Sequence, residues 1–131
     1  ALARLRPSSM HEDATVPTSK VAEMLLRIQE IARRHDVLIA TFGHAGDGNL
    51  HPVILFDERE PGELKRAREA AEEIFKAAIQ LGGTLTGEHG IGLSKAPYFH
   101  LEHESKELEV LKAIKRALDP NGILNPGKIW R

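Results

Sequence analysis

Three histidines and one glutamate lie among glycines in two short segments of the sequence. The segment GHAGDGNLH contains His44 and His51, and the segment GEHGIG places Glu88 directly before His89. Two imidazoles and one carboxylate are a common ligand set for a divalent metal ion, and such a set leaves coordination positions open for a substrate. The residue types therefore point to a metal site made of His44, His51 and Glu88.

The first segment connects two strand-like runs, so its histidines would bound a hairpin loop. Partners on antiparallel strands lie roughly 5 Å apart, which lets two imidazoles converge on one point. The alternative is that the glycines and Asp47 only form a turn, because Asp-Gly and Gly-Asn pairs favour turns. For the second segment, the alternative is a polar turn whose Glu88 and His89 face water. The spacing alone leaves both alternatives open.

Several other chemistries lack their residues in this chain. The 131 residues include no cysteine, which excludes disulfides, thiolate nucleophiles and cysteine-based zinc or iron–sulfur sites. The first glycine-rich segment lacks the Gly-Lys-Ser/Thr ending of a phosphate loop, and no HExxH helix is present. We expect the remaining polar candidates to be surface or paired residues: His11, His35, Lys95, His100 and His103.

Charge and composition describe an ordinary soluble globular protein. Lys plus Arg is 18 and Asp plus Glu is 19, for a net charge of −1, so nothing favours nucleic acid or an anionic membrane as partner. No apolar stretch approaches the length of a membrane span, and we predict no transmembrane segment. The absence of cysteine agrees with a reducing compartment, and we expect a cytoplasmic protein.

Hydrophobic periodicity predicts the elements that position these residues. Apolar residues recur at three- and four-residue steps from Val21 to Ala32, from Leu64 to Ala78 and from Leu108 to Leu118, which predicts three helices. The strand-like segments are 14–16, 37–42, 53–56 and 83–86. This order predicts an α+β fold of ferredoxin-like type, in which helices cover one face of an antiparallel sheet.

The length predicts a single domain over residues 1–131. We expect residues 1–11 to be an irregular N-terminal segment, and residues 97–103 and 121–131 to be ordered loop, the latter within a C-terminal tail of residues 119–131. The chain begins with Ala1 rather than Met, and we expect it to be a fragment of a longer protein.

Three segments together resemble a known family. They are GHAGDGNLH at 43–51, GEHGIG at 87–92 and DPNGILNPGKIW at 119–130. In this order and spacing they are similar to the C-terminal region of FAD-linked oxidases of the vanillyl-alcohol-oxidase type. The most similar group is the FAD-linked subunit of glycolate oxidase, with D-lactate and D-2-hydroxyglutarate dehydrogenases as relatives. The resemblance implies that the chain is part of a larger cap domain over the flavin, and that its tail returns to an FAD-binding domain of the same full-length protein.

The resemblance also implies roles for individual residues. His44, His51 and Glu88 would bind a divalent metal ion (Zn, Mn or Fe), His89 would be the catalytic base, and Asn125 would approach the FAD. The implied reaction is oxidation of a small D-2-hydroxy acid, glycolate or D-lactate, to the 2-oxo acid. The metal would favour deprotonation of the hydroxyl, and hydride would pass to the flavin.

Position 11 bears on the substrate. Relatives that act on the longer diacid have a lysine near this position, so His11 argues against a diacid. The implied partners are the substrate, the FAD domain and other oxidase subunits.

Two alternatives come from other classes of protein. The first is a stand-alone ferredoxin-like module that binds metal or forms homo-oligomers without catalysis, since an open sheet edge and an uncovered surface favour association. The second is a metal hydrolase, which would share the ligand set but would need a positioned water and no flavin-facing tail.

Overall fold

A computed structural model of the chain describes residues 2–129, which fall into two compact units divided between His89 and Gly90. The prediction of one domain stays a prediction. The first unit contains strands β1 (Ser8–His11), β2 (Ala14–Thr15), β3 (Leu38–His44) and β4 (Asn49–Phe56), and helices α1 (Val21–Arg34) and α2 (Glu63–Gln80). The second unit contains helix α3 (Ser105–Leu118). Short 3₁₀ turns cover Leu2–Arg4, Thr18–Lys20 and Ala96–Leu101.

The three helices confirm the predictions made from periodicity. α1 buries Met24, Ile28 and Ile31, which are spaced at three and four residues and therefore share one face. α2 buries an alanine-rich stripe together with Ile74 and Phe75. α3 begins with a capping box between the side chains of residues 104 and 107 and the opposing backbone amides. No helix in the described part of the chain is long and apolar enough to cross a bilayer.

Strand β4 lies at the centre of an antiparallel sheet, and all of its residues are buried. β3 pairs along one side of it, from Leu38 opposite Leu55 to His44 opposite Asn49. β1 and β2 pair along the other side in a single register that is interrupted at residues 12–13. α1 and α2 pack against each other, α1 against β3 and α2 against β4 and β2. The α+β class is therefore confirmed, whereas the ferredoxin-like detail stays a prediction.

Two strand predictions were wrong in detail. Residues 1–11 are not wholly irregular, because Ser8–His11 form β1; this edge strand has only one apolar residue, Met10, and so carries no readable alternation. Gly83 to Thr86 contribute an isolated bridge at Thr84 instead of a strand. The amide of Gly83 donates to the carbonyl of Ala78 at the end of α2, and the amide of Gly87 is bound by a side chain, so little backbone is left for pairing.

Three further segments differ from the sequence prediction. The hairpin loop has four residues, 45–48, because the pairing of β3 and β4 continues through glycine and histidine positions. Residues 97–103 were expected to be loop, but a 3₁₀ turn with proline near its start covers Ala96–Leu101. Lys95 is only 2% exposed instead of solvated. Its amide donates to the carbonyl of Ile91 at 3.2 Å, which closes a backbone turn that the sequence did not predict.

Candidate metal and catalytic site

The β3–β4 hairpin positions the two histidines of the first glycine-rich segment. Phe42 pairs with His51 and His44 pairs with Asn49, so the two histidines are diagonal neighbours on one face of the sheet. Their ring centroids lie 5.2 Å apart in an edge-on arrangement. The amide of Asp47 donates to the carbonyl of His44 at 3.0 Å and closes the turn. Ladder hydrogen bonds thus fix the backbone positions of both histidines.

The carboxylate of Glu88 completes a cluster with these histidines. Its Oε1 lies 3.0 Å from His51 Nε2 and 3.5 Å from His44 Nε2. One donor atom from each of the three residues lies within 4.8 Å of the other two. An ion bound at about 2.0–2.2 Å to each donor requires donors roughly 3–4 Å apart, so this donor set fits a divalent cation. His51 presents Nε2 to the cluster, and its buried Nδ1 has no hydrogen-bond partner among the described atoms.

His89 lies beside the cluster with its ring stacked on that of His51. The two centroids are 5.2 Å apart and the ring planes differ by 16°. His89 Nε2 is 4.0 Å from Glu88 Oε1, and 44% of the side chain is exposed. Glu88 and His89 both line a cleft of about 360 Å³ whose walls include Phe42 and His11. The structure therefore provides an exposed imidazole next to the cluster, in a cleft large enough for a small organic acid.

The sequence analysis missed Asp13, which holds the segment that carries Glu88 and His89. One carboxylate oxygen of this fully buried residue, Oδ2, accepts hydrogen bonds from the amides of Gly87, Glu88 and His89 at 2.8, 2.8 and 3.2 Å. The Thr86 hydroxyl donates to the same oxygen at 3.0 Å. Nothing in the local sequence could have found this role, because the partners are more than 70 residues apart.

The sequence analysis also missed Thr15 and Asn49, which explain the glycine at position 87. The Thr15 hydroxyl donates to Asn49 Oδ1 at 3.1 Å, and this pair lies directly against Gly87. A Cβ at position 87 would be 2.3 Å from Thr15 Oγ1 and 2.8 Å from Asn49 Cγ. Glycine is therefore required for the 87–89 segment to approach β2 and β4 this closely.

Asn125 belongs to the second unit. It has a φ of +50°, and its Oδ1 accepts a hydrogen bond from Lys128 Nζ at 3.0 Å. The loop before it is closed by Asp119, which accepts the amides of Ile123 and Leu124. A hydrogen bond from Lys115, together with those amides, holds the pKa of Asp119 below its usual value. The contact of Asn125 with FAD stays a prediction, and Trp130 of the same motif lies outside the described residues.

Two of the other histidines are paired, as expected. His35 Nε2 lies 2.8 Å from Glu73 Oε2, and His103 Nδ1 lies 3.4 Å from Glu107 Oε2. His11 is exposed, with Nε2 2.9 Å from the Ser9 hydroxyl, and it also lines the cleft. His11 therefore borders the site without joining the cluster.

The sequence matches the profile of a protein family described as FAD linked oxidases, C-terminal domain, over residues 1–129. The chain belongs to this family. The glycolate oxidase subunit GlcD of Bacillus subtilis (strain 168) is 52% identical over 130 residues, which is 99% of this chain and 28% of that protein. The subunit of the same name from Escherichia coli (strain K12) is 41% identical over 98% of this chain and 26% of its own length. A D-lactate dehydrogenase of Archaeoglobus fulgidus is 40% identical over 91% of this chain and 26% of its own length.

These family members confirm the resemblance inferred from the three motifs. The chain spans about a quarter of the length of the curated relatives it matches. The activity of a whole protein that contains this domain is therefore a matter of proposal.

Proposed function

We propose that this chain is the C-terminal domain of an FAD-dependent enzyme that oxidises a small D-2-hydroxy acid, glycolate or D-lactate, to the 2-oxo acid. Membership of the FAD-linked oxidase family supports the flavin chemistry, and the relatives named as glycolate oxidase and D-lactate dehydrogenase support the substrate class. The observation that carries the proposal is the convergence of His44, His51 and Glu88 beside an exposed imidazole in one small cleft.

In this proposal, His44, His51 and Glu88 hold a divalent ion such as Zn²⁺, Mn²⁺ or Fe²⁺. When bound, the ion supplies Lewis acidity that makes the hydroxyl of a 2-hydroxy acid easier to deprotonate. An acid bound to this ion would be oriented beside His89, since His44, His51, Glu88 and His89 all line the one cleft. The cleft excludes bulk water only in part, because Glu88 itself is 49% exposed.

His89 takes the hydroxyl proton in this proposal. Its Nδ1 faces Asp13 at 3.8 Å and its Nε2 lies on the side of the Glu88 carboxylate, so Nε2 is the nitrogen placed to receive the proton. Stacking on His51 limits rotation of the ring. Imidazole is the usual general base near neutral pH, which matches the required proton transfer.

FAD, when bound, supplies the acceptor for the hydride that leaves the substrate carbon. The glycine-rich turn at 45–48 leads into β4 and not into a helix, so it does not offer the helix N-terminal amides that hold a pyrophosphate. We therefore propose that FAD is held mainly by a domain outside this sequence and that Asn125 contacts it. Other oxidase subunits are proposed partners of the same full-length protein.

The test uses the full-length protein that carries this sequence. Glycolate and D-lactate should reduce its flavin, L-lactate should not, and a strong chelator should abolish the reduction until Mn²⁺ or Zn²⁺ is restored. Glu88→Gln removes the charge of one ligand and should lower kcat/KM by about 100-fold. Glu72→Gln is the matched control, since Glu72 only pairs with Lys76 on the surface of α2.

Three results would contradict the proposal. Flavin that no 2-hydroxy acid reduces would exclude the reaction. Full activity after exhaustive chelation, with no divalent ion found by elemental analysis, would exclude the metal. A protein that binds a divalent ion but no flavin would favour the stand-alone module.

A further inference from the structure

Asp13 occupies an unusual place in the sheet. It lies in the two-residue interruption between β1 and β2, where the edge strand breaks its ladder with β4 although the register is the same on both sides. Within the interruption, the amide of Glu12 donates to the carbonyl of Pro52 at 3.1 Å. The interruption leaves the side chain of Asp13 fully buried and directed to the 86–89 segment.

Three consecutive amides converge on one oxygen of this carboxylate. The donors are Gly87, Glu88 and His89, and a fourth hydrogen bond comes from the Thr86 hydroxyl. An extended chain points successive amides in opposite directions, so this convergence curls the backbone around Asp13. The curl sends the side chains of Glu88 and His89 outward to the same cleft. Hydrogen bonds to a charged acceptor are about twice as strong as neutral ones, so the curl is firmly held.

The other oxygen of the same carboxylate faces the ring of His89. Asp13 Oδ1 lies 3.8 Å from His89 Nδ1. A single buried carboxylate therefore contacts the backbone of the proposed ligand and the backbone of the proposed base, and also lies against the ring of that base.

We propose that Asp13 is a positioning residue of this site: by gathering the amides of Gly87, Glu88 and His89, it sets the directions of the Glu88 carboxylate and the His89 ring. The inference rests on the proposed function. Asp13 therefore contributes to the affinity for the divalent ion and to kcat indirectly, through the backbone that carries Glu88 and His89.

The first experiment measures Mn²⁺ binding to the full-length protein by electron paramagnetic resonance of the free ion. Residues that orient metal ligands typically change affinity by about 10–100-fold, so Asp13→Asn should weaken binding about 10-fold and Asp13→Ala about 100-fold. Thr86→Val removes one donor of four and should cost only about 3-fold. Far-UV circular dichroism and thermal unfolding without the ion report whether each variant folds; if Asp13→Ala does not, the other two variants carry the test.

Asp57→Asn is the matched control. Asp57 is an aspartate of the same unit, and its Oδ1 accepts the amide of Arg59. It directly follows the last residue of β4, six positions beyond His51, which is about 20 Å at the rise of a strand. The Mn²⁺ affinity of this variant should stay within about 2-fold of the wild type, because the change removes the same charge far from the cluster.

A second readout separates positioning from general stability. At saturating Mn²⁺, Asp13→Asn should keep a kcat about 10-fold below the wild type while the KM for glycolate changes by less than about 2-fold, since the base is misdirected but the ion site is filled. A purely structural role would leave kcat per folded molecule unchanged.

The possible results separate the two proposals. If the wild type binds no Mn²⁺, or His51→Ala binds it equally well, the ion site of the proposed function fails and the role of Asp13 fails with it. If the wild type binds Mn²⁺ and the Asp13 variants match it in affinity and kcat, only the role of Asp13 is overturned. A loss in Asp57→Asn as large as that in Asp13→Asn would also overturn it.

Discussion

The two glycine-rich segments of the site are held in place by different means. In the hairpin, His44 and His51 belong to paired strands, and ladder hydrogen bonds continue to the residues that carry the imidazoles. In the 87–89 segment there is no ladder, and the backbone amides converge on the buried carboxylate of Asp13. The sheet therefore positions the two histidines of the cleft. A loop whose amides bind one carboxylate positions Glu88 and His89 in the same cleft.

The difference shows where the site is sensitive to substitution. A change at Gly46 in the hairpin turn should leave the strand pairing that positions the histidines, because no atom lies within 4 Å of a Cβ added there. Gly48 at the end of the same turn is different, because a Cβ added there would lie 1.9 Å from the carbonyl oxygen of Val16. Changes around the 87–89 segment act directly on Glu88 and His89, since one acceptor and one close packing contact determine their backbone path.

The largest loss of Mn²⁺ affinity is expected when the buried histidine of the sheet is replaced. His51→Ala should weaken Mn²⁺ binding by about 100-fold or more, because it deletes the least exposed of the three donors and the ring on which His89 stacks. Isothermal titration calorimetry on the full-length protein measures this. The control is His35→Ala, a histidine of the same unit that pairs with Glu73. Equal losses in both variants would mean that the sheet histidines have no special role.

A matched pair of glycine substitutions gives the next largest effect and compares the two segments directly. Gly87→Ala should destabilise the fold by about 1–3 kcal/mol and weaken ion binding, because the new Cβ meets Thr15 Oγ1 at 2.3 Å and Asn49 Cγ at 2.8 Å. Gly46→Ala in the hairpin turn should change stability by less than about 0.5 kcal/mol, because no atom lies within 4 Å of its added Cβ. Urea unfolding measures both. A more damaging change at position 46 would reverse the comparison.

The smallest expected effect concerns an aspartate that accepts a backbone amide outside both segments. Hydrogen bonds from the Arg59 side chain and amide lower the pKa of Asp57 from 3.8 to about 2. A lowered pKa in the folded state stabilises the protein above the unfolded value, and this contribution is lost as the pH falls through the folded value. Asp57→Asn should therefore be slightly less stable than wild type above about pH 4, and the difference should vanish towards pH 2. Urea midpoints across this range would show whether it does.

The sequence predicted the elements whose signal is periodic. The helices α1, α2 and α3 repeat apolar residues every three or four positions, and the structure confirms each of them. The edge strand β1 went unpredicted because it is short and mostly polar, and Gly83 to Thr86 looked like a strand although their backbone groups are largely bound elsewhere. Local pattern carries no information about which distant groups will compete for those hydrogen bonds.

The same limit applies to the candidate site. The sequence indicated His44, His51 and Glu88 as candidates, because histidine and glutamate are common metal ligands. The residues that position them were not, since Asp13, Thr15 and Asn49 are ordinary polar residues until the fold brings them together. The sequence alone therefore identified the candidate ligands and the candidate base. It did not identify the residues that hold the 87–89 segment in place.

The separation of these partners along the chain sets an order of assembly during folding. His44 and His51 are only seven positions apart in the sequence, whereas Asp13 and Glu88 are 75 positions apart. Hairpins form within about 1–10 µs, and contacts between distant residues wait for the rest of the chain to collapse. A nascent chain would therefore bring His44 and His51 together well before Glu88 joins them, and the proposed ion site would be complete only once the whole first unit has folded.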